Sequence, residues 1–371
     1  MRIARIRHIF YPDMPRDYFY ELSVRQAENG HDVDVLTWRK NGYSSEYEDG
    51  GLVVHRLPGL NVGLPGMIEE YPYLPGLPGE LRSLKPDIVH GESHLFLPTV
   101  QAVRAARKFG IPCVVTVHGI SVDRGLAVNA AQSLYLRTIG SRVFKNADKI
   151  ICLTHQNART VASFGCPPDK TAVIPNAVDT TLFSPGLKRN DNLIVWVGRF
   201  VPEKGVEYLI KSARFVANSI RNIKFLMIGY GPQKSRALNL AQHYGLHRRN
   251  IDFVGWLDRT AIASVLRKAT LFAFPSLTEG MPVALMEAMS SGVPTVGFDV
   301  PGVNDLVVDG ENGFLVPPRD SKSFANAIIS LMEDDRKRKR MSKNSREVVV
   351  RGYSWEKVLK EIDKVYNEIA D

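Results

Sequence analysis

Cysteine is scarce in this 371-residue chain: Cys113, Cys152 and Cys166 are the only three. They form no C-x-x-C pair and no zinc spacing, and each sits in or beside an apolar run. That argues against a disulfide framework or a cysteine metal site and suits buried, reduced thiols in a cytoplasmic protein. Long uncharged apolar runs are missing too, since none reaches the ~20 residues of a membrane span. Arg2, Arg5 and Arg7 interrupt the start of the chain and a strand pattern follows, so no signal peptide is expected. No aromatic-interleaved basic motif occurs, which argues against nucleic acid as a partner. Asp32-Val33-Asp34 has the form of a D-x-D metal motif. It follows Gly30-His31 and leads into Val35-Leu36-Thr37, however, so these carboxylates are expected to flank a strand and hold no metal.

What is present reads as a soluble globular protein, 44% hydrophobic and 23% charged. Its length implies two domains. The net charge of +9 suits acidic partners such as nucleotide diphosphates or anionic lipid. The densest basic run, Arg336-Lys337-Arg338-Lys339-Arg340, follows Glu333-Asp334-Asp335 in a helical stretch and reads as a solvated helix face.

Short apolar runs alternate with helical patterns. The first series is Ile3–Phe10, Val33–Trp38, Val53–Leu57, Ile88–Gly91, Cys113–His118 and Ile150–Thr154. The second is Ile194–Gly198, Phe225–Gly229, Phe253–Gly255, Leu271–Phe274 and Pro294–Gly297. Strands separated by helix-length segments imply parallel sheets covered on both faces. Two series therefore predict an α/β chain of two doubly wound, Rossmann-like domains facing a central cleft. Ligands are expected beyond the carboxyl ends of the strands. A polar linker at 185–192 divides them into 1–185 and 190–352.

One stretch, Phe274–Phe298, stands out. An apolar strand ends at Pro275-Ser276; then come Glu279-Gly280-Met281-Pro282 and a helical pattern through Val283, Leu285, Met286, Ala288 and Met289, stopped by Gly292. Proline suits the first helical position, so the helix is expected to begin near Pro282. Gly280 lets a bulky ligand approach the free N–H groups of the helix start, a ready anion site. Glu287 lies five residues past Pro282, roughly 7.5 Å along the axis at about 1.5 Å per residue, so two carboxylates bracket that helix end.

The whole pattern, Ser276-x-x-Glu279-Gly280-x-Pro282-x4-Glu287-Ala288-Met289-x-x-Gly292-x-Pro294, resembles the signature of the retaining glycosyltransferases of family 4, which share the two-domain GT-B fold. Other segments fit the same family. Trp196-Val197-Gly198-Arg199-Phe200-Val201-Pro202-Glu203-Lys204-Gly205 resembles the turn whose Arg and Lys grip the donor's pyrophosphate. Ile174-Pro175-Asn176-Ala177-Val178-Asp179 with Phe183 resembles the segment that ends the N-terminal domain. Val114-Val115-Thr116-Val117-His118-Gly119 resembles the strand carrying the donor-sugar histidine. The terminal Tyr353-Ser354-Trp355 and its helix, about 355–371, resemble the segment that crosses back onto the N-terminal domain.

The resemblance implies a retaining, metal-independent hexosyltransferase without cofactor, using a UDP-, GDP- or ADP-sugar and a hydroxyl acceptor, lipid-linked or another glycan. It implies an N-terminal acceptor domain and a C-terminal nucleotide-sugar domain. His118, Arg199, Lys204 and Glu279 would serve catalysis. Gly198, Gly231, Trp256, Leu257, Gly280, Met281, Pro282, Val283 and Glu287 would hold the donor, with Glu287 on the ribose. In the first turn, Phe10–Asp17, the family's Gly-Gly pair is absent, and Arg16 could supply charge instead. Asp123 and Arg124 are further acceptor candidates.

The segment 57–79 carries Leu-Pro-Gly four times. It reads equally as a rigid loop tucking its leucines onto the domain or as a loop touching a lipid-linked or membrane-bound acceptor. A basic stripe of Arg137, Arg142 and Lys145 reads as solvated surface or membrane contact at the inner face. Rival functions are a sugar-nucleotide 2-epimerase, a synthase with a soluble sugar acceptor, and a non-catalytic binding module.

Overall fold

The computed structural model describes residues 1–11, 17–40, 46–63, 70–120, 126–187, 189–190 and 192–370. The chain forms two compact units, Met1–Pro175 with Leu359–Asp371, and Asn176–Val358.

The first unit runs β1 (Arg2–Ile6), α1 (Tyr18–Glu28), β2 (Asp32–Trp38), β3 (Glu46–Asp49), β4 (Leu52–Leu57), β5 (Leu60–Asn61), β6 (Pro72–Tyr73), α2 (Leu77–Leu84), β7 (Ile88–Glu92), α3 (Leu97–Phe109), β8 (Cys113–Val117), α4 (Leu126–Tyr135), α5 (Ser141–Asn146), β9 (Lys149–Cys152), α6 (His155–Ser163) and β10 (Thr171–Val173). Its sheet has the order β10-β9-β8-β7-β1-β2-β4-β3, parallel except for the β3–β4 pair. The central strands are mostly apolar because both sheet faces are covered, with Arg5, His90 and Glu92 buried among the apolar side chains. Ile6, Val89, Val115 and Ile150 are fully buried, and Phe144 packs with them. Each such side chain contributes roughly 1.5–3 kcal/mol by leaving water. Burial also pushes the Cys152 thiol up to about 12, and all three cysteines are free and buried.

The second unit runs β11 (Leu193–Val197), α7 (Val206–Ser219), β12 (Lys224–Ile228), α8 (Lys234–His243), β13 (Ile251–Val254), α9 (Arg259–Lys268), β14 (Leu271–Phe274), α10 (Val283–Ser290), β15 (Thr295–Phe298), β16 (Gly313–Val316), α11 (Ser321–Glu333) and α12 (Asp335–Gly352). All strands of its sheet are parallel, in the order β13-β12-β11-β14-β15-β16. Taken along the chain this is the doubly wound order 3-2-1-4-5-6, which reverses between β11 and β14. The final helix, α13 (Trp355–Ala370), starts in the second unit and belongs to the first from Leu359 onward. There Tyr366 accepts a hydrogen bond from Gln26 at 3.0 Å, and Asp363 accepts one from Asn29 at 3.2 Å.

Several elements differ from expectation. The first strand stops at Ile6, because Phe10 turns out of the sheet to pack on Phe19 and Tyr20. The division expected at 185–192 falls at Pro175–Asn176. Residues after it are tied into the second unit: Asn176 donates to the Met281 carbonyl at 2.9 Å, and Arg346 donates to the Phe183 carbonyl at 2.8 Å. The final helix likewise joins the first unit at Leu359, later than 355. Pro282 is the residue before α10 rather than its first helical one, with extended φ −77° and ψ 109°. Gly292, in the left-handed region at φ 66°, follows the end of that helix as expected.

The Leu-Pro-Gly segment divides. Leu74 and Leu77 are fully buried, whereas Leu60, Val62 and Tyr73 around the short β5–β6 pair are exposed, and 64–69 lie outside the described residues. The basic run 336–340 lies on α12, where Lys339 pairs with Asp335 at 2.7 Å on a solvated face, while Arg338 turns inward and donates to the Leu331 carbonyl at 2.7 Å.

Candidate active site

The order reversal in the second unit puts the carboxyl ends of β11 and β14 side by side, and both leave the sheet through special turns. After β11 the chain runs Gly198-Arg199-Phe200-Val201, makes one 3-10 turn at Pro202–Lys204, and passes Gly205 into α7. Gly205 has φ 58°, and a Cβ there would stand 2.0 Å from the Pro275 carbonyl oxygen. Only glycine lets this turn touch the turn that follows β14. The Leu277 N–H also donates to the Glu203 carbonyl at 2.8 Å. The two loops are thereby held as one surface.

That contact brings Lys204 to Glu279. Lys204 Nζ lies 2.5 Å from Glu279 Oε1, and 5.8 Å from the centre of the Phe274 ring. The pair is largely withdrawn from water, the side chains being 23% and 8% exposed. α10 begins four residues beyond Glu279, preceded by Pro282, which offers no side-chain cap to its first N–H groups. Those donors have no intrahelical partner and carry the positive end of the helix dipole. Asn176 fixes this end, its side chain donating to the Met281 carbonyl. Gly280 and Val283 are half-buried, and Met281 and Pro282 buried. Arg199 is exposed at the β11 turn. A cation clamped to a carboxylate beside an uncapped helix start, with a second cation on the same loop as the first, can hold an anion.

Glu287 is buried on α10, and Arg259 Nε approaches its Oε1 at 3.5 Å while the guanidinium covers the Phe183 ring at 5.4 Å. Arg259 opens α9, directly after Trp256-Leu257-Asp258, and Asp258 caps that helix by accepting from Ala261 N at 2.8 Å. Trp256 is 57% exposed and Leu257 half-buried. Gly231 is a glycine for a packing reason: at φ 145° its Cβ would stand 2.7 Å from the Phe200 backbone. Gly198 donates to the Ile228 carbonyl at 3.0 Å, so both glycines close the β11 and β12 turns onto each other.

In the first unit, His118 follows β8 at the carboxyl end of the sheet. Its Nε2 donates to Glu92 Oε2, and the imidazole is 32% exposed. Asp34, from the D-x-D pattern, pairs with Arg2 at 2.7 Å and with His55 at 2.7 Å. Among the described residues no group of three His, Cys, Asp or Glu side chains is placed to hold a metal ion. Arg16, Asp123 and Arg124 lie outside the described residues.

Three site-side residues escape sequence reasoning: Arg259 on Glu287, Asn176 under Met281, and Glu92 behind His118. The one available signal was Glu92, a carboxylate that closes β7 straight after His90-Gly91. The pairings depend on strand order, which a single sequence does not display.

Two Rossmann-like parallel-sheet units, one with an anion-ready switch point, define the GT-B class of glycosyltransferase. Solved structures agree on the fold. Sucrose-phosphate synthase from Thermosynechococcus elongatus gives a TM-score of 0.81 at 22% identity, covering 99% of this chain and 98% of that one. Anabaena HepE in complex with UDP gives 0.79 at 18% identity, covering 99% and 100%. The family model described as "Glycosyl transferases group 1" matches residues 178–348, and the "Glycosyl transferase 4-like domain" model matches 15–177. An Escherichia coli UDP-Gal:alpha-D-GlcNAc-diphosphoundecaprenol alpha-1,3-galactosyltransferase is 31% identical over 92% of this chain and 89% of its own length. A Corynebacterium diphtheriae D-inositol 3-phosphate glycosyltransferase is 27% identical over 95% and 89%. The chain belongs to the group 1 glycosyl transferase family and is a glycosyltransferase.

Proposed function

We propose that the protein is a retaining hexosyltransferase that moves a sugar from a nucleotide diphosphate to the hydroxyl of a lipid-linked acceptor, without a metal. The observation that carries the donor side is the Lys204–Glu279 pair beside the uncapped start of α10. As the sugar leaves, negative charge grows on the β-phosphate. Lys204, Arg199 and the N–H groups at the start of α10 are fixed donors for that charge, and preaimed donors of this kind are usually the largest catalytic contribution. Glu279 orients Lys204 and stands near the donor sugar. Glu287, steadied by Arg259, takes the ribose hydroxyls, and Trp256-Leu257 lies beside the base. His118 contacts the donor sugar. Retention follows from attack on the face the diphosphate leaves, the departing phosphate oxygen accepting the acceptor's proton.

The name of the E. coli relative favours UDP over GDP or ADP and a diphosphate-linked lipid acceptor over a soluble one. No helix among the described residues is long and apolar enough to cross a membrane. A lipid acceptor would be met at the cytoplasmic membrane surface by peripheral contact.

Thermal melts with UDP-, GDP- and ADP-sugars test the donor, since a ligand of the native state raises stability by mass action. NMR of the sugar first released from the best donor then tests retention. The released sugar should keep the configuration of the donor. Release of the inverted sugar overturns retention, and epimerised sugar without transfer points to a 2-epimerase.

A further inference from the structure

Strand register places Glu92 of β7 opposite Thr116 of β8, and so beside His118 just past the strand end. Glu92 is 2% exposed. Its Oε2 accepts from His118 Nε2, and its Oε1 accepts from Arg5 Nη2 on β1, an arginine with no exposed surface. Behind them, His90 Nδ1 lies 2.8 Å from Arg5 Nη1 and 2.5 Å from Tyr366 Oη, while its Nε2 lies 2.7 Å from Thr116 Oγ1. Tyr366 is in turn held by Gln26 at 3.0 Å.

A buried carboxylate is costly unless paired. Burial alone would raise its pKa, but the Arg5 guanidinium first, and then His118, pull the Glu92 carboxyl down to about 2. It is therefore an anion at neutral pH and only accepts hydrogen bonds. His118 Nε2 must then carry its proton, which leaves Nδ1 as the single ring nitrogen open to a ligand. In the neutral ring Nδ1 is an acceptor, suited to a sugar hydroxyl. His94 is also buried near His118. Burial lowers its pKa to about 3, so it adds no competing charge.

We infer that Glu92 is a positioning residue for the transfer reaction, holding His118 by Nε2 so that Nδ1 is the atom that meets the donor sugar. This rests on the reading of His118 as a donor-sugar contact. Arg5 keeps the anchor charged, and the His90–Tyr366 pair fixes Arg5.

The test measures UDP release from UDP-glucose, UDP-galactose and UDP-N-acetylglucosamine, using whichever is turned over fastest. Variants are Glu92→Gln, Glu92→Asp, His118→Ala and the double His118→Ala/Glu92→Gln. Glu92→Gln should lower kcat about 10- to 100-fold, as loss of an orienting partner does, while UDP affinity by calorimetry stays put and Glu92→Asp restores part of the rate. In the His118→Ala background the same change should add less than about twofold, because the two act as a unit. Full multiplication of the two losses would overturn the proposal, as would wild-type turnover in Glu92→Gln. Wild-type turnover in His118→Ala would instead sink the His118 reading, and this proposal with it. Nitrogen-15 histidine spectra of the unmutated protein give an answer that needs no variant. They should show His118 protonated at Nε2, and a ring protonated at Nδ1 alone contradicts it.

Discussion

Lys204 Nζ sits 2.5 Å from Glu279 Oε1 although the two residues belong to different loops, one after β11 and the other after β14. The carboxylate holds the amine in place beside the start of α10 before any phosphate arrives. Lys204→Ala removes a preaimed cation, so turnover should fall about 10²–10³-fold, roughly 2.7–4 kcal/mol, with a far smaller change in melting temperature. Glu279→Gln should weaken turnover while leaving UDP bound at least as tightly, because the lysine loses its competing anion. Steady-state kinetics beside UDP calorimetry check both, and a Lys204→Ala enzyme at full rate would remove the residue from the mechanism.

Arg259 and Glu287, the latter proposed to hold the donor's ribose, meet at 3.5 Å. Arg259→Ala should raise the donor KM about tenfold and leave kcat nearly unchanged, as loss of uniform binding does. In a double-mutant cycle with Glu287→Gln the two changes should be non-additive by about 0.5 kcal/mol or more. Strict additivity would mean that the contact has no bearing on the donor.

Gly205 offers a structural check. Gly205→Ala places a methyl group 2.0 Å from the Pro275 carbonyl oxygen at a positive φ, so the two loops must separate. Gly110 also has positive φ, 69°, but nothing within 4 Å of its Cβ. Gly110→Ala should cost only about 1–2 kcal/mol, the penalty of the left-handed backbone. Gly205→Ala should cost more and should also lose donor turnover. Equal losses on denaturant unfolding would show that the loop contact is dispensable.

The Arg2–Asp34–His55 cluster sets a pH dependence away from the site. Burial alone would raise the Asp34 pKa, but the hydrogen bonds from His55 and Arg2 hold it below 3.8. The hydrogen bond to Asp34 raises His55 above 6.5 despite its burial. The lowered Asp34 contributes stability above its unfolded value and loses it as pH falls. The raised His55 contributes stability below 6.5 and loses it as pH rises through its native value. Unfolding free energy should therefore decline from about pH 6 to about pH 9 more steeply in the natural protein than in His55→Gln. Matching slopes would show that the histidine is not linked to folding.

Much of this was legible in the chain. The parallel strands read as short apolar runs because both sheet faces are covered, and the Glu279–Gly292 pattern announced an anion-ready helix start. Edge elements were less visible: β3 is Glu46–Asp49, a charged edge strand, and β10 has only three residues. The division near 185 was misplaced because a polar, proline-bearing stretch looks like a linker even where Phe183 and Arg346 bind it to one unit. The partners of His118 and Glu287 were hidden because they come from strands and helices far away in sequence. Only the order β10-β9-β8-β7-β1 and its counterpart around β11 and β14 bring them together.

Comparing UDP with uridine by titration calorimetry tests most directly where the donor's two phosphates are held. The natural protein should bind UDP about 100-fold or more tightly than uridine, some 2.7 kcal/mol carried by the diphosphate. In the folded Arg199→Ala/Lys204→Ala double variant most of that advantage should vanish while uridine binds as before. An undiminished preference for UDP in that variant would mean that the diphosphate is gripped elsewhere.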